Sequence, residues 1–362
     1  ALALAVAVGL LVYASLFPIT GWMDAGVSPF AWISAPFPRY WTASEIAFNV
    51  LVYLPVGALM AFSFRPRLMG GAGVLAATVA AAAMSAGMES LQTFLPDRVA
   101  SNVDFAANTL GAFAGAVLGA LTARRLIDVG WHVHWGEHVL KPGTHAAIVL
   151  AGLWVLVQLP AHAMLFGTGD IVGLFPTLTL RLESWLPAWA APSPADRVRA
   201  EQWCTALAII AVTMLVMHCL RPFRLRALLV PTFIVLALSI KAAAQPLAGP
   251  GLDTFAWLTP GAWRGLVMGA VAAMALTYLP AVWQRRAAIA ALIGQLLIVN
   301  LFPTDRYFLA TVASGRTGLL YLEALTRELA AGWPLVALAW MLFAVGSRRV
   351  AALRGPARDQ PV

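Results

Sequence analysis

The chain has 362 residues, 61% hydrophobic and only 11% charged, with a mean hydropathy of +0.80. A soluble domain carries about 25% charge, so the composition predicts a polytopic membrane protein and leaves little room for a separate soluble domain. The net charge of +8, from 24 Lys+Arg against 16 Asp+Glu, then bears on topology rather than on a nucleic-acid partner, and no segment resembles a nucleic-acid-binding module.

A helix crossing the hydrocarbon needs about 20 mostly apolar residues. Ten segments qualify: 1–17, 44–64, 71–94, 103–122, 144–166, 202–220, 227–247, 263–283, 287–303 and 329–347. Residues 1–17 lack the basic n-region of a signal peptide and are read as the first span. The predicted fold is an all-α membrane bundle of about ten transmembrane helices.

Alternate loops hold Arg65/Arg67, then Arg124/Arg125/Lys141, Arg221/Arg224/Arg226, Arg285/Arg286 and the tail Arg348/Arg349/Arg354/Arg358. These basic residues face only Asp128, Glu137 and Asp359 in the same loops. Cytoplasmic loops are enriched in Lys and Arg, so both termini are expected in the cytoplasm. The outer loops are then 18–43, 167–201, 248–262 and 304–328. Within them, Ile171–Ala190 and Gly315–Ala331 are expected as helices lying on the membrane surface. The reading divides the chain into a four-helix domain (1–122), a basic, His-bearing cytoplasmic loop (123–143) and a six-helix extension (144–362). No internal repeat is evident.

Polar residues concentrate between Glu45 and Gly119. An ionisable group inside a hydrocarbon span is expensive and is by default a functional-site hypothesis. Glu45 and Asn49, and likewise Asp104 and Asn108, are at i, i+4, while Ser85, Glu89 and Gln92 are at i, i+4, i+7. Each set therefore lies on one helix face. If the faces converge, they form a polar pocket near the outer ends of spans two to four, beside the turn that carries Asp97 and Arg98.

Structural readings compete. Thr42-x-x-Glu45 has the capping-box pattern, and Ser101-x-x-Asp104 resembles one. Arg98 has Asp97 and Asp104 as candidate partners, and Gln92 and Asn108 suit interhelical hydrogen bonding. Glu89 is harder to explain structurally, because it sits near a helix C-terminus, where the dipole disfavours an anion. Span four continues with Gly111, Gly115 and Gly119, a spacing that lets another helix approach closely, within the chain or in an oligomer.

Three linked motifs carry a resemblance. They are Asn49-Val-Leu-Val-Tyr53-Leu-Pro55-Val-Gly57, Glu89-Ser-Leu-Gln92 with Pro96 and Arg98, and Asp104-x-x-x-Asn108-x-x-Gly111. In this order they resemble the VanZ-like family, over about residues 1–122. The family's namesake is associated with low-level resistance to teicoplanin, a lipoglycopeptide. The resemblance implies a cell-envelope role in the bacterial cytoplasmic membrane, involving an outer-leaflet lipid or a peptidoglycan-related precursor. It supplies no catalytic mechanism and assigns no role to the extension.

Three functions follow. The first is a site that binds or remodels an outer-leaflet lipid or envelope precursor through Asn49, Glu89, Gln92, Arg98, Asp104 and Asn108. The second is an intramembrane transferase or hydrolase, with Glu89 and Asp104 as acid and base and Arg98 stabilising an anion. The third is a transporter, which would want polar groups near the midplane and repeated halves.

His132, His134, His138 and His145 cluster with Glu137 but match no zinc spacing, and no metal or cofactor is expected. Nucleotide-binding, zinc-protease and serine-hydrolase signatures are lacking. Asn300, Asp305, Arg306 and Tyr307 form a second candidate polar group beyond span nine. Cys204 and Cys219 share one apolar segment, about 22 Å apart if helical, which is too far for a disulfide.

Overall fold

A computed structural model describes residues 2–24, 26–37, 43–65, 67–123, 140–141, 144–159, 164–172, 193–221, 226–248, 254–255, 257–302 and 317–344. The described residues are helical, with no strands. The helices are α1 (Leu2–Leu16), α2 (Ala43–Phe64), α3 (Gly70–Gln92), α4 (Asn102–Ala123), α5 (His145–Leu156), α6 (Pro194–Cys219), α7 (Arg226–Ala248), α8 (Pro260–Thr277), α9 (Ala281–Leu301) and α10 (Thr317–Ala339). A π-helical turn, Trp340–Ala344, extends α10. Five helices, namely α2, α3, α4, α6 and α9, are long and apolar enough to cross a membrane, and three shorter apolar stretches lie in α1, α5 and α7. The protein is an all-α membrane helical bundle.

Three sequence expectations need correction. The span expected at 263–283 ends at Thr277, and Arg285 and Arg286, expected in the loop after it, lie within α9. The run 144–166 is not one helix: α5 stops at Leu156, short of Pro160, whose ring would clash with the carbonyl of Leu156. The expected break between a surface helix at Gly315–Ala331 and a span at 329–347 does not occur. The helix runs unbroken through Thr317–Ala339, with Pro334 inside it. Of the surface helix expected at Ile171–Ala190, only Ile171 and Val172 are described, and they are not α-helical.

The chain divides into two compact units, Ala1–His138 with Thr317–Leu325, and Val139–Arg316 with Thr326–Val362. In the first, the usual distribution of side chains is inverted. The buried positions of α3 are Gly73, Ala77, Ala81, Ser85, Glu89 and Gln92. Those of α4 are Ala107, Asn108, Gly111, Ala112, Gly115, Ala116, Gly119 and Ala123. The large apolar side chains Leu51, Leu75, Val79, Leu110, Phe113 and Leu121 point outward. Lipid solvates leucine as well as a protein core does, so small residues take the interior, where they permit close backbone contact.

That contact is closest between α2 and α4. A Cβ added at Gly111 would strike the carbonyl oxygen of Val50, at Gly115 that of Leu54, and at Gly57 that of Ala112. At Gly119 it would meet the backbone of Ala58 at 2.9 Å. The partner positions 50, 54 and 58 rise with 111, 115 and 119, so the two helices run parallel.

The second unit uses the same device. Gly261, Gly265 and Gly269 of α8 face Val198, Gln202 and Ala206 of α6, again in rising order. Its helix ends are well satisfied. Ser193 and Asp196 form a reciprocal capping box at α6, with Pro194 in its first turn. Thr259 caps α8. At the opposite end of α8, Gln284 donates to the carbonyls of Thr277 and Leu279, both at 3.0 Å. Arg285 donates to Met341 and Leu342, each at 2.9 Å, at the end of α10. Trp263 is exposed near the start of α8, and Tyr278 and Trp283 at its opposite end. This is the placement of interfacial aromatic belts.

Candidate functional site

α3 reverses into α4 through a short turn, and the polar groups gather there. Glu89 is buried, 3% exposed, one turn before the end of α3. Its Oε2 accepts the Ser101 backbone N–H at 2.7 Å. Ser101 in turn caps α4, its Oγ accepting from Val103 N at 3.2 Å and Asp104 N at 3.3 Å. Glu89 therefore rests on the positive end of α4, which offsets its unfavourable place on α3.

In a capping box the third-position acid would take the N–H of the cap residue. Here Glu89 takes it from the neighbouring helix, and Asp104 is released. Asp104 Oδ1 instead accepts from Asn49 Nδ2 on α2 at 2.9 Å. The first turn of α4 is thus tied to α3 by one carboxyl and to α2 by the other. Ser101→Ala is expected to cost about 1 kcal/mol, because it removes the cap but leaves the backbone N–H for Glu89. A thermal midpoint in detergent measures this, and an unchanged midpoint would contradict the cap.

One turn deeper, Asn108 Nδ2 donates to Ser85 Oγ at 3.0 Å. Asn108 Oδ1 is buried with no hydrogen-bond partner. The Tyr53 hydroxyl interacts with Ser85 and lies within Coulomb range of Glu89. Glu45, half-buried in the first turn of α2, is within Coulomb range of Asp104. Its expected capping partner Thr42 lies outside the described residues.

Gln92 and Arg98 hold a third helix. Gln92 Nε2 donates to Ser15 O at 2.9 Å, and Arg98 donates to Ala14 O at 2.6 Å and Phe17 O at 3.1 Å. These carbonyls belong to the C-terminal end of α1, where orphan acceptors and the dipole favour a cation. The same guanidinium is within Coulomb range of both Glu89 and Asp104.

The chain after α1 folds back over this end. Met23 N donates to Phe94 O at 2.9 Å, and Asn102 Nδ2 to Ala35 O at 2.8 Å. Trp32 donates to Ser90 Oγ at 3.3 Å and tilts against Phe105, ring centroids 5.3 Å apart.

Asn49, Glu89, Asp104 and Asn108 thus come together around the start of α4, while Gln92 and Arg98 reach toward α1. Tyr53 was missed as a site residue, although its spacing four residues after Asn49 places it on the same face. Trp32 carries no comparable signal.

All of these groups lie within one stretch of the chain. Residues 1–123 match the family model described as VanZ/LLP1. The amino-terminal region is VanZ-like. Together with the apolar helices, this makes the chain an integral membrane protein. The VanZ-like match covers α1–α4 and leaves α5–α10 outside it. No curated protein and no solved structure matches the chain.

Beyond the VanZ-like region, the second unit encloses a different polar framework. Met164–Gly169 is buried and not helical, with Phe166 at φ 61° and Gly169 at φ 95°. Irregular backbone at membrane depth must be satisfied by protein. Gln295 on α9, fully buried, donates to Phe166 O at 2.8 Å and Thr168 Oγ1 at 2.9 Å. Thr205 donates to Leu165 O at 3.1 Å. Asn300 donates to Gly169 O at 2.7 Å and accepts from Ile171 N and Val172 N at 3.0 Å. Asn300 therefore serves this segment, whereas Asp305, Arg306 and Tyr307 lie outside the described residues. Lys241 is buried in α7, and no motif flags it. His132, His134 and His138 also lie outside the described residues. Among those described, no three His, Cys, Asp or Glu residues gather as metal ligands.

Proposed function

We propose that the VanZ-like region is a cell-envelope binding site in the bacterial cytoplasmic membrane. It binds or remodels an outer-leaflet lipid or peptidoglycan-related molecule at Glu89, Asp104, Asn49 and Asn108, with Gln92 and Arg98 positioning the turn against α1. The supporting observation is that two carboxyls from different helices meet at one helix start inside an otherwise apolar bundle, beside a buried amide oxygen with no protein partner. The alternation of basic loops, read as cytoplasmic, supports placing this end at the outer leaflet. The acid–base alternative would want a carboxyl poised on a reacting atom. Ser101 and Asn49 instead anchor the two carboxyls on neutral donors, which favours binding.

Glu89→Gln and Asp104→Asn test this in a host whose lipoglycopeptide susceptibility changes on expression of the wild-type protein. Glutamine at 89 still offers an oxygen to the Ser101 N–H, so the turn is preserved while the charge is lost. Susceptibility should return toward that of cells without the protein, at unchanged membrane abundance. A phenotype that falls only in step with abundance would make both acids structural and remove the basis of the proposal.

A further inference from the structure

The polar face does not end at Glu89. Ser85 lies one turn deeper on α3 and is fully buried, with Asn108 and Tyr53 beside it at 7% and 3% exposure. Asn108 uses its amide N–H on Ser85, which leaves its Oδ1 without a partner, and the Tyr53 hydroxyl turns to the same serine. Buried polar atoms are almost always paired. An unpaired acceptor beside two hydroxyls, one turn below a buried carboxyl, therefore points to a group that completes it.

The chemistry of that group can be read from what the site offers. Asn108 Oδ1 only accepts, ionised carboxylates only accept, and the Tyr53 hydroxyl can accept. Glu89 and Asp104 lie within Coulomb range of one another. Arg98, the cation near both, donates to the carbonyls of Ala14 and Phe17. A phosphate brings only acceptors and would face two carboxyls. A primary ammonium brings three donors, no acceptor and the complementary charge.

We propose that the cluster holds a primary ammonium group, with Glu89 and Asp104 as its charged partners and Asn108 Oδ1 and the Tyr53 hydroxyl as neutral acceptors. This rests on reading the cluster as a ligand site and adds the class of ligand. Such an ammonium can belong to an ethanolamine lipid headgroup or to an amine carried on a soluble molecule.

The test uses the full chain in phosphatidylcholine nanodiscs, whose quaternary ammonium has no N–H. Phosphatidylethanolamine, phosphatidylglycerol, free ethanolamine or free lysine is then added. Binding is read by thermal shift and by native mass spectrometry of retained lipid. Phosphatidylethanolamine should bind and stabilise, and phosphatidylglycerol should not. Glu89→Gln should weaken that binding roughly tenfold or more, the scale of one charge-assisted hydrogen bond. Tyr53→Phe guards against a folding artefact. It removes one hydroxyl and keeps the ring, so the melting temperature in phosphatidylcholine should change little while ethanolamine-lipid binding weakens.

Free ethanolamine or lysine acting as strongly as the lipid would support the ammonium and assign it to a soluble source. If all three lipids bind alike and all respond to Glu89→Gln, the ligand site stands and the ammonium proposal is overturned. If nothing added binds in a way that Glu89→Gln or Tyr53→Phe alters, both the ammonium and the outer-leaflet ligand reading fall.

Discussion

A leucine at Gly115 is expected to remove most of the folded protein from the membrane. A Cβ there already overlaps the carbonyl oxygen of Leu54, and the obstacle is helical backbone rather than a side chain that can rotate away. Overpacking of a core usually costs about 1–3 kcal/mol. Here α2 and α4 would have to separate along the seam that also contains Gly57, Gly111 and Gly119, so the cost should reach or exceed about 3 kcal/mol. Separation would also pull Asn49 from Asp104, and the site would be lost with the fold. Gly87→Ala is the control. Nothing lies within 4 Å of a Cβ at that position of α3, so alanine should be neutral or stabilise by up to about 1 kcal/mol. Membrane abundance and detergent melting curves compare the two. A Gly115→Leu protein that melts like wild type would show that the seam is not as close as described.

Gln295→Leu should produce the second large loss, in the other unit. Leucine is similar in size but donates nothing, leaving Phe166 O and Thr168 Oγ1 without the donor they share. A buried polar group stripped of its partner costs about 1–3 kcal/mol, so the pair should cost roughly 2–5 kcal/mol. The same segment has a backbone check at Gly169. Its φ of 95° suits glycine, and an added Cβ would come within 2.5 Å of Leu296 Cδ2 and 2.9 Å of Pro334 Cγ. Gly169→Ala should therefore destabilise as well, through strain and overlap rather than lost hydrogen bonds. Gln295→Glu distinguishes the causes, since it keeps the shape and reverses the polarity. Hydrogen exchange at residues 164–172 measures the outcome. Unchanged protection in Gln295→Leu would mean that the amide does not hold the segment.

Much of this molecule was legible in the chain because a membrane imposes few solutions. Without water to satisfy the backbone, long apolar runs must be helices, and α2, α3 and α4 follow the runs closely, whereas α6 and α9 begin well before theirs. The polar faces were legible for a related reason: helical spacing alone places Ser85, Glu89 and Gln92 together, and Asp104 with Asn108. The glycine spacing of α4 announced a close neighbour. The same spacing at Gly261, Gly265 and Gly269 stands as openly in the sequence and marks the seam of the second unit.

What the chain determined by itself, then, was helix content, the lipid-facing composition and the VanZ-like motif residues, all set by composition and by spacing within one helix. Tertiary structure alone decided the partners. Arg98 reaches carbonyls more than 80 residues upstream, Glu89 takes the N–H of the residue that caps the next helix, and Asp104 is thereby freed for Asn49. Gln295 and Asn300 let α5 give way to irregular backbone more than 120 residues earlier. A polar side chain in lipid must find a partner, but which partner depends on the helix that folding brings alongside, and local spacing carries no record of that choice.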